Sequence, residues 1–159
     1  AFTAQTAAGD SSTIHRAVAS APAGSVLVVG AEGAESRAVW GYVLTVAAVS
    51  RGVGGAVIDG SVRDLEAIRA EGFPLFAPST CPAGPHKGHP GTVGEPISCG
   101  GVVVAPGDVV VADTDGVTVV PAALQGEVPR LARERRAVER TWLERIRDGE
   151  SSLAVLNLE

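Results

Sequence analysis

The chain of 159 residues has no methionine, two cysteines, one lysine and an aromatic content of only 4%. Each scarcity excludes something. Cys81 and Cys99 are too few for a disulfide framework in a chain of this size, which points to a reducing compartment. No apolar run approaches the roughly 20 residues that a membrane helix needs, and no charged-then-apolar leader opens the sequence. No membrane partner is therefore expected, and a cytoplasmic location is the default. The net charge of −5 lacks the positive excess that holds nucleic acid without sequence preference, so no nucleic-acid partner is expected. Twelve of the thirteen basic residues are arginine, leaving Lys87 as the one lysine. A Schiff-base mechanism needs a desolvated amine. Lys87, between His86 and Gly88 in a Pro/Gly-rich stretch, is a poor place for one. The chain begins at Ala1 rather than Met, and a missing N-terminal segment is expected.

What is present is apolar and rich in turns, with 45% hydrophobic residues and twenty glycines. The length suits a single domain over residues 1–159 with a real core. Ser11 to Ser20 reads as a short helix capped by Asp10 or Ser11, with Ile14, Ala17 and Val18 on one face. Ser25 to Val29 reads as a buried strand, Gly30 to Ser36 as a loop and Arg37 to Ser50 as an alanine-rich helix. Ala56 to Ile58 returns as a strand, which makes a parallel crossover. Leu65 to Glu71 is a helix closed by Gly72, Pro74 to Ala77 a strand, and Pro78 to Gly94 a long loop. Val102 to Ala105, Val109 to Ala112 and Val117 to Val120 read as strands of a meander. Pro121 to Gly149 is helical, broken near Pro129, with Leu131, Val138, Trp142 and Ile146 as an apolar stripe. Its seven arginines could form an RNA patch, but an amphipathic helix with a solvated charged face fits better.

The most informative stretch runs from Val57 to Asp64. An apolar run ends in Asp59-Gly60, and Arg63 and Asp64 stand where a helix begins. Strand ends of this kind are where open α/β sheets collect ligand-binding groups. An arginine fork can grip a carboxylate while the neighbouring carboxylate holds a hard divalent metal, a pairing suited to a small 2-oxo acid. Ser61-x-x-Asp64 also has the form of a capping box, in which Ser61 and Asp64 only start a helix. Cys81, His86, His89 and Cys99 match no standard zinc spacing, and a loop that shapes a substrate pocket is the better reading. Asp113-x-Asp115-Gly116 resembles part of a calcium loop but lacks the later bidentate Glu, so a hairpin turn is expected.

Trp40-Gly41, Ala47-Ala48, Arg51-Gly52-Val53, Gly55 to Asp64, Gly72-Phe73-Pro74, Cys99 to Val102, Pro106-Gly107-Asp108 and Asp113 to Val120 occur in a familiar order. Together they resemble the family of class II 4-hydroxy-4-methyl-2-oxoglutarate aldolases and RraA-type regulators of ribonuclease activity. The resemblance covers nearly the whole chain. It implies an α/β fold, a swivelling β/β/α sandwich that assembles as a homotrimer or hexamer with its site at a subunit interface. It further implies Asp64 as direct ligand of Mg²⁺ or Mn²⁺, and Arg63 as the group that binds substrate and developing enolate. Backbone N–H groups from Gly41 through Tyr42 and Val43 to Leu44 would meet the substrate carboxylate, and Glu139 of a neighbouring subunit would reach the metal through water. The implied activity is retro-aldol cleavage to pyruvate, oxaloacetate decarboxylation, or both. The alternative is a non-catalytic regulator that binds proteins. One position departs from the family: Tyr42 stands where aldolase members carry an acid that helps to hold the metal's waters, and a neutral phenol cannot replace that charge.

Overall fold

The computed structural model describes residues 1–158. Contacts group the chain into two compact units, Ala1–Pro121 and Ala122–Glu159. The first is built on strands β1 (Phe2–Gln5), β2 (Val26–Trp40), β3 (Gly55–Val62), β4 (Leu75–Phe76), β5 (Ser79–Thr80) and β6 (Thr92–Val93). They form one sheet in the order β4-β3-β2-β1-β6, with β5 paired to the far end of β3. All pairings are parallel except β1 with β6. Helices α1 (Ser12–Ser20), α2 (Tyr42–Ser50) and α3 (Leu65–Glu71) supply the connections.

Side-chain alternation along the strands produces two cores. Leu27, Val29, Ala56 and Ile58 face the helices and pack with Ile14, Ala17, Val18, Leu44, Ala48 and Ile68. Val28 and Val57 face the other way and pack with Ile97 and Val104 from a hairpin, β7 (Ile97–Cys99) and β8 (Val102–Val104). That hairpin turns on Gly100 and Gly101, both at positive φ (57° and 79°), the conformation a two-residue turn needs and only glycine adopts freely. A second hairpin, β9 (Val109–Asp113) with β10 (Gly116–Val120), places Val110 and Val119 against the same core. Its turn is closed by Asp113 Oδ1, which accepts from Asp115 N–H at 2.9 Å, so the Asp113–Gly116 stretch is a turn as expected. The helix layer, central sheet and hairpin layer make the α/β sandwich that the sequence implies.

Three expectations are corrected. Residues 30–40 are neither loop nor helix start. β2 runs to Trp40, and its register against β3 shifts between Gly30 and Ala34, Ala34 and Ala38, and Ala38 and Trp40. Glu32 and Gly33 at positive φ take up the slack, and α2 begins only at Tyr42. Ser61 is not a helix cap. It lies buried in β3, where its hydroxyl donates to the Glu35 carbonyl at 2.8 Å and bonds the Ser79 hydroxyl at 2.7 Å. Pro129 does not break the terminal helix but sits in its first turn, where a missing N–H costs nothing.

The second unit holds a short 3-10 turn (Ala122–Leu124), α4 (Val128–Arg147) and α5 (Ser152–Leu156). No residue of α4 is buried. Arg130 pairs with Glu134, Arg135 with Glu139, and Arg145 with Glu150, while the Arg135 guanidinium lies 4.5 Å from the centre of the Trp142 ring. Three of the seven arginines of α4 are thus paired with acids, and the helix is exposed along its length, as expected of an amphipathic helix with a solvated charged face. No described helix is long and apolar enough to cross a membrane.

Candidate active site

The long β2 decides where the site lies. Trp40 is in register with Val62, and Arg63 N–H donates to the Trp40 carbonyl at 3.0 Å. Two neighbouring parallel strands therefore end together, and the residues that follow, Gly41-Tyr42 and Arg63-Asp64, meet at the carboxyl edge of the sheet. Trp40 anchors this edge. Its ring is buried and stacks on Phe73 with centroids 5.9 Å apart, and its Nε1–H donates to Thr45 Oγ1 at 2.9 Å.

Asp64 is held in the left-handed region (φ 62°, ψ 32°), uncommon for any residue except glycine, Asn and Asp. It stands at the start of α3, where its carbonyl accepts the Ile68 N–H at 3.1 Å, yet its side chain makes no capping hydrogen bond to that helix. Its Oδ2 instead accepts the Tyr42 N–H at 3.0 Å, reaching across to the first turn of α2, where partial positive charge favours a carboxylate. Arg63 Nε lies 3.7 Å from the same oxygen. That is too far for a hydrogen bond and close enough for charge compensation. Both side chains are about half exposed, at 41% and 44%. The Asp64 carboxylate thus does not cap its own helix.

Gly41 makes the approach possible. Its φ of −157° is extended and open to any residue, so the requirement is space. A Cβ there would sit 2.8 Å from Asp64 Oδ2 and 3.1 Å from Arg63 Cγ and Nε. Gly41→Ala is expected to leave the melting temperature within a few degrees while reducing turnover sharply, because it displaces both charged groups. Circular dichroism together with a pyruvate-release assay checks this.

Of the expected Gly41–Leu44 amides, one is engaged within the protein. Tyr42 N–H is committed to Asp64, which leaves the Val43 and Leu44 amides at the start of α2 as donors for a carboxylate. The Tyr42 side chain turns towards α3, where its hydroxyl donates to Glu71 Oε2 at 3.1 Å. That hydrogen bond and the Glu71 charge raise the phenol's pKa above its usual value, so Tyr42 is neutral near pH 7. Glu139 belongs to the other compact unit, in α4, and bonds Arg135 Nε at 2.9 Å.

A cleft of about 140 Å³ adjoins Arg63, Asp64 and Gly41 to Leu44, and is walled on its other side by Ser11, His15, Pro85 and Lys87. Ser11 Oγ is buried without a hydrogen-bond partner. Burial and the nearby Lys87 charge lower the His15 pKa, so the ring is neutral at pH 7. Sequence reasoning did not find these residues. Ser11 and His15 are one turn apart on α1, a spacing that could have linked them to each other, but nothing local links them to Asp64. Lys87 is exposed, which agrees with the expectation that no buried amine is available. A larger cavity of about 410 Å³ lies between the sheet and the hairpins. Its walls are mostly apolar, and burial, with Asp59 nearby, pushes its one thiol, Cys99, up to about 11, so that thiol is no nucleophile. Neither cysteine meets a histidine. Cys81 Sγ contacts the Ser36 carbonyl and Cys99 Sγ the Val29 carbonyl, and the described residues hold no group of three or more metal-ligating side chains.

The family model described as RraA-like, Aldolase/RraA, matches residues 1–119. A protein of Halalkalibacterium halodurans named "Putative 4-hydroxy-4-methyl-2-oxoglutarate aldolase" is 39% identical over 137 residues, covering 86% of this chain and 65% of that protein. The structure of the RNA-processing inhibitor RraA from Thermus thermophilis is 32% identical with a TM-score of 0.69, covering 76% of this chain and 73% of that one. An uncharacterised protein from Pseudomonas syringae pv. tomato superposes with a TM-score of 0.82 at 27% identity, covering 99% of this chain and 75% of its own. The fold is an α/β sandwich shared with proteins named as aldolases and as RraA. The chain belongs to the RraA-like family. It spans just under two thirds of the length of the Halalkalibacterium halodurans relative.

Proposed function

We propose that the chain is a divalent-metal-dependent lyase acting on a small 2-oxo acid, by retro-aldol cleavage to pyruvate, oxaloacetate decarboxylation, or both. The observation that carries this reading is the Asp64 carboxylate. It is withheld from capping its own helix and set beside Arg63 at the ends of two parallel strands. A single carboxylate suits Mg²⁺ or Mn²⁺, which keep most of their waters and need one or two protein oxygens. Asp64 would hold the ion, and the ion when bound would polarise the 2-oxo group.

The chain's own residues supply the rest. Val43 and Leu44 N–H groups orient the substrate carboxylate at the N-terminus of α2. The Arg63 guanidinium faces the 2-oxo oxygen. It stabilises the negative charge that collects there when the carbon–carbon bond breaks and its electron pair remains on the pyruvate fragment. In retro-aldol cleavage the hydroxyl proton of the departing half passes to water as its new carbonyl forms, and the enolate then takes a proton from water at carbon to give pyruvate. In decarboxylation carbon dioxide departs instead.

Assembly as a homotrimer or hexamer belongs to the same reading. α2 is apolar all round, burying Leu44 and Ala48 on one side while exposing Val43, Val46 and Val49 on the other. An outer face of this kind favours cover by a second copy, and such a copy would bring its own Glu139 to the metal's waters.

A second reading, a non-catalytic protein-binding regulator, is favoured by Tyr42, whose side chain engages Glu71 and brings no carboxylate to the site. Assay of the full-length protein against a panel of 2-oxo acids with Mg²⁺ or Mn²⁺ separates the two. The lyase reading expects pyruvate release that EDTA abolishes, with no borohydride-trapped covalent adduct. Absence of turnover on every acid and with either metal favours the regulator.

A further inference from the structure

Lys87 reaches the cleft on a segment tied down on both sides of it. Before it, His86 N–H donates to the Gly9 carbonyl at 2.7 Å, and the His86 carbonyl accepts Ser11 N–H at 3.1 Å. After it, Gly88 N–H donates to Ser12 Oγ at 2.7 Å. The final tie is made by Asp10, whose side chain is fully buried. Its Oδ1 accepts Ser12 N–H at 2.7 Å, and its Oδ2 accepts both the His89 N–H at 3.1 Å and the His89 ring Nδ1 at 2.9 Å. Residues 86–89, which the sequence presents as a mobile Pro/Gly loop, are instead latched across the start of α1.

We infer that Asp10 is a positioning residue: its carboxylate latches residues 86–89 to α1 and thereby sets Lys87 at the cleft that holds Arg63 and Asp64. This role of Lys87 as a fixed positive wall for an anionic substrate rests on the lyase reading; the latch itself does not. A buried acid costs stability unless fully bonded. Here both oxygens are used, and although burial works against ionisation, the His89 and Ser12 hydrogen bonds lower the Asp10 pKa to about 2. The carboxylate is therefore charged throughout the physiological range. An amide in its place would turn an NH₂ group towards the two donors of His89, and the tie would open.

Acylation read at Lys87 itself follows the latch directly. The test uses the full-length protein, an amine-acylating reagent with mass-spectrometric readout at Lys87, and hydrogen exchange at Gly88 and His89. In Asp10→Asn, exchange at both amides and the Lys87 acylation rate should change by roughly ten-fold or more, as a local opening requires. His89→Ala removes the ring's half of the tie from its exposed side, where the ring is 60% accessible, leaves the main-chain N–H bond to Asp10, and should shift the same readouts in the same direction without threatening the core. With the preferred 2-oxo acid, both variants should raise KM by roughly ten-fold while kcat changes less, because a displaced charge weakens binding before it alters the bond-breaking step. Unchanged exchange, acylation and KM in His89→Ala would overturn the inference while leaving the lyase reading intact. A wild type without turnover that nevertheless shows the exchange and acylation changes would uphold the latch and remove the lyase reading.

Discussion

Asp64→Asn should reduce 2-oxo acid cleavage by more than the roughly 100-fold that marks loss of a metal's outer-shell partner, while the protein melts almost where the wild type does. Asn tolerates the left-handed backbone that Asp64 occupies (φ 62°), and its amide oxygen can still accept the Tyr42 N–H while the carboxylate charge is removed. No cap to α3 is lost, since none is made, so the stability change should stay below about 1 kcal/mol. Asp64→Ala is a poorer probe, because its Cβ in that conformation carries about 1–2 kcal/mol of strain without the compensating side chain. Arg63→Lys keeps the charge and removes the planar fork. If Arg63 stabilises charge at the 2-oxo oxygen, turnover should fall by about 100-fold or more. Pyruvate release and thermal denaturation, measured on the same preparations, separate the catalytic from the structural role.

Tyr42→Glu should strengthen Mg²⁺ or Mn²⁺ binding by roughly 10–100-fold, the usual worth of a carboxylate bonded to a metal-bound water, and raise oxaloacetate decarboxylation with it. In the wild type the position contributes its main-chain N–H to Asp64 and its hydroxyl to Glu71, so the metal's waters gain nothing from the side chain. Tyr42→Phe, which removes only the Glu71 contact, should keep wild-type activity. Metal titration by calorimetry and a decarboxylation assay read both variants. A Glu variant that binds metal no better and loses the native activity would instead make Tyr42 a substrate-shaping residue.

The sheet was legible where the pattern was local. Ser25 to Val29 and Ala56 to Ile58, joined through an apolar helix, announced the parallel crossover, and Asp113 to Gly116 announced its turn. Arg37 to Trp40 misled because an alanine-rich run follows and nothing in the sequence marks where strand becomes helix. Pairing with β3 holds those residues extended, a tertiary effect that propensity cannot carry. The four residues of β1 (Phe2–Gln5) are too short to show a period. Ser61 mimicked a capping box because β3 continues to Val62, past the point where local spacing starts the helix. Arg63 and Asp64 were visible because they are adjacent. The second wall was not, because Asp10 and His89 are 79 residues apart and only closure of the chain brings Lys87 to them.

The claim at the centre of this account is that Asp64 is the protein's own ligand for a divalent ion beside Arg63. Electron paramagnetic resonance of free Mn²⁺, titrated with the assembled full-length protein and with its Asp64→Asn variant, tests it without reference to any substrate. Loss of the free-ion signal on adding wild type but not the variant is the result predicted here. Equal binding by both, or binding by neither, would contradict it.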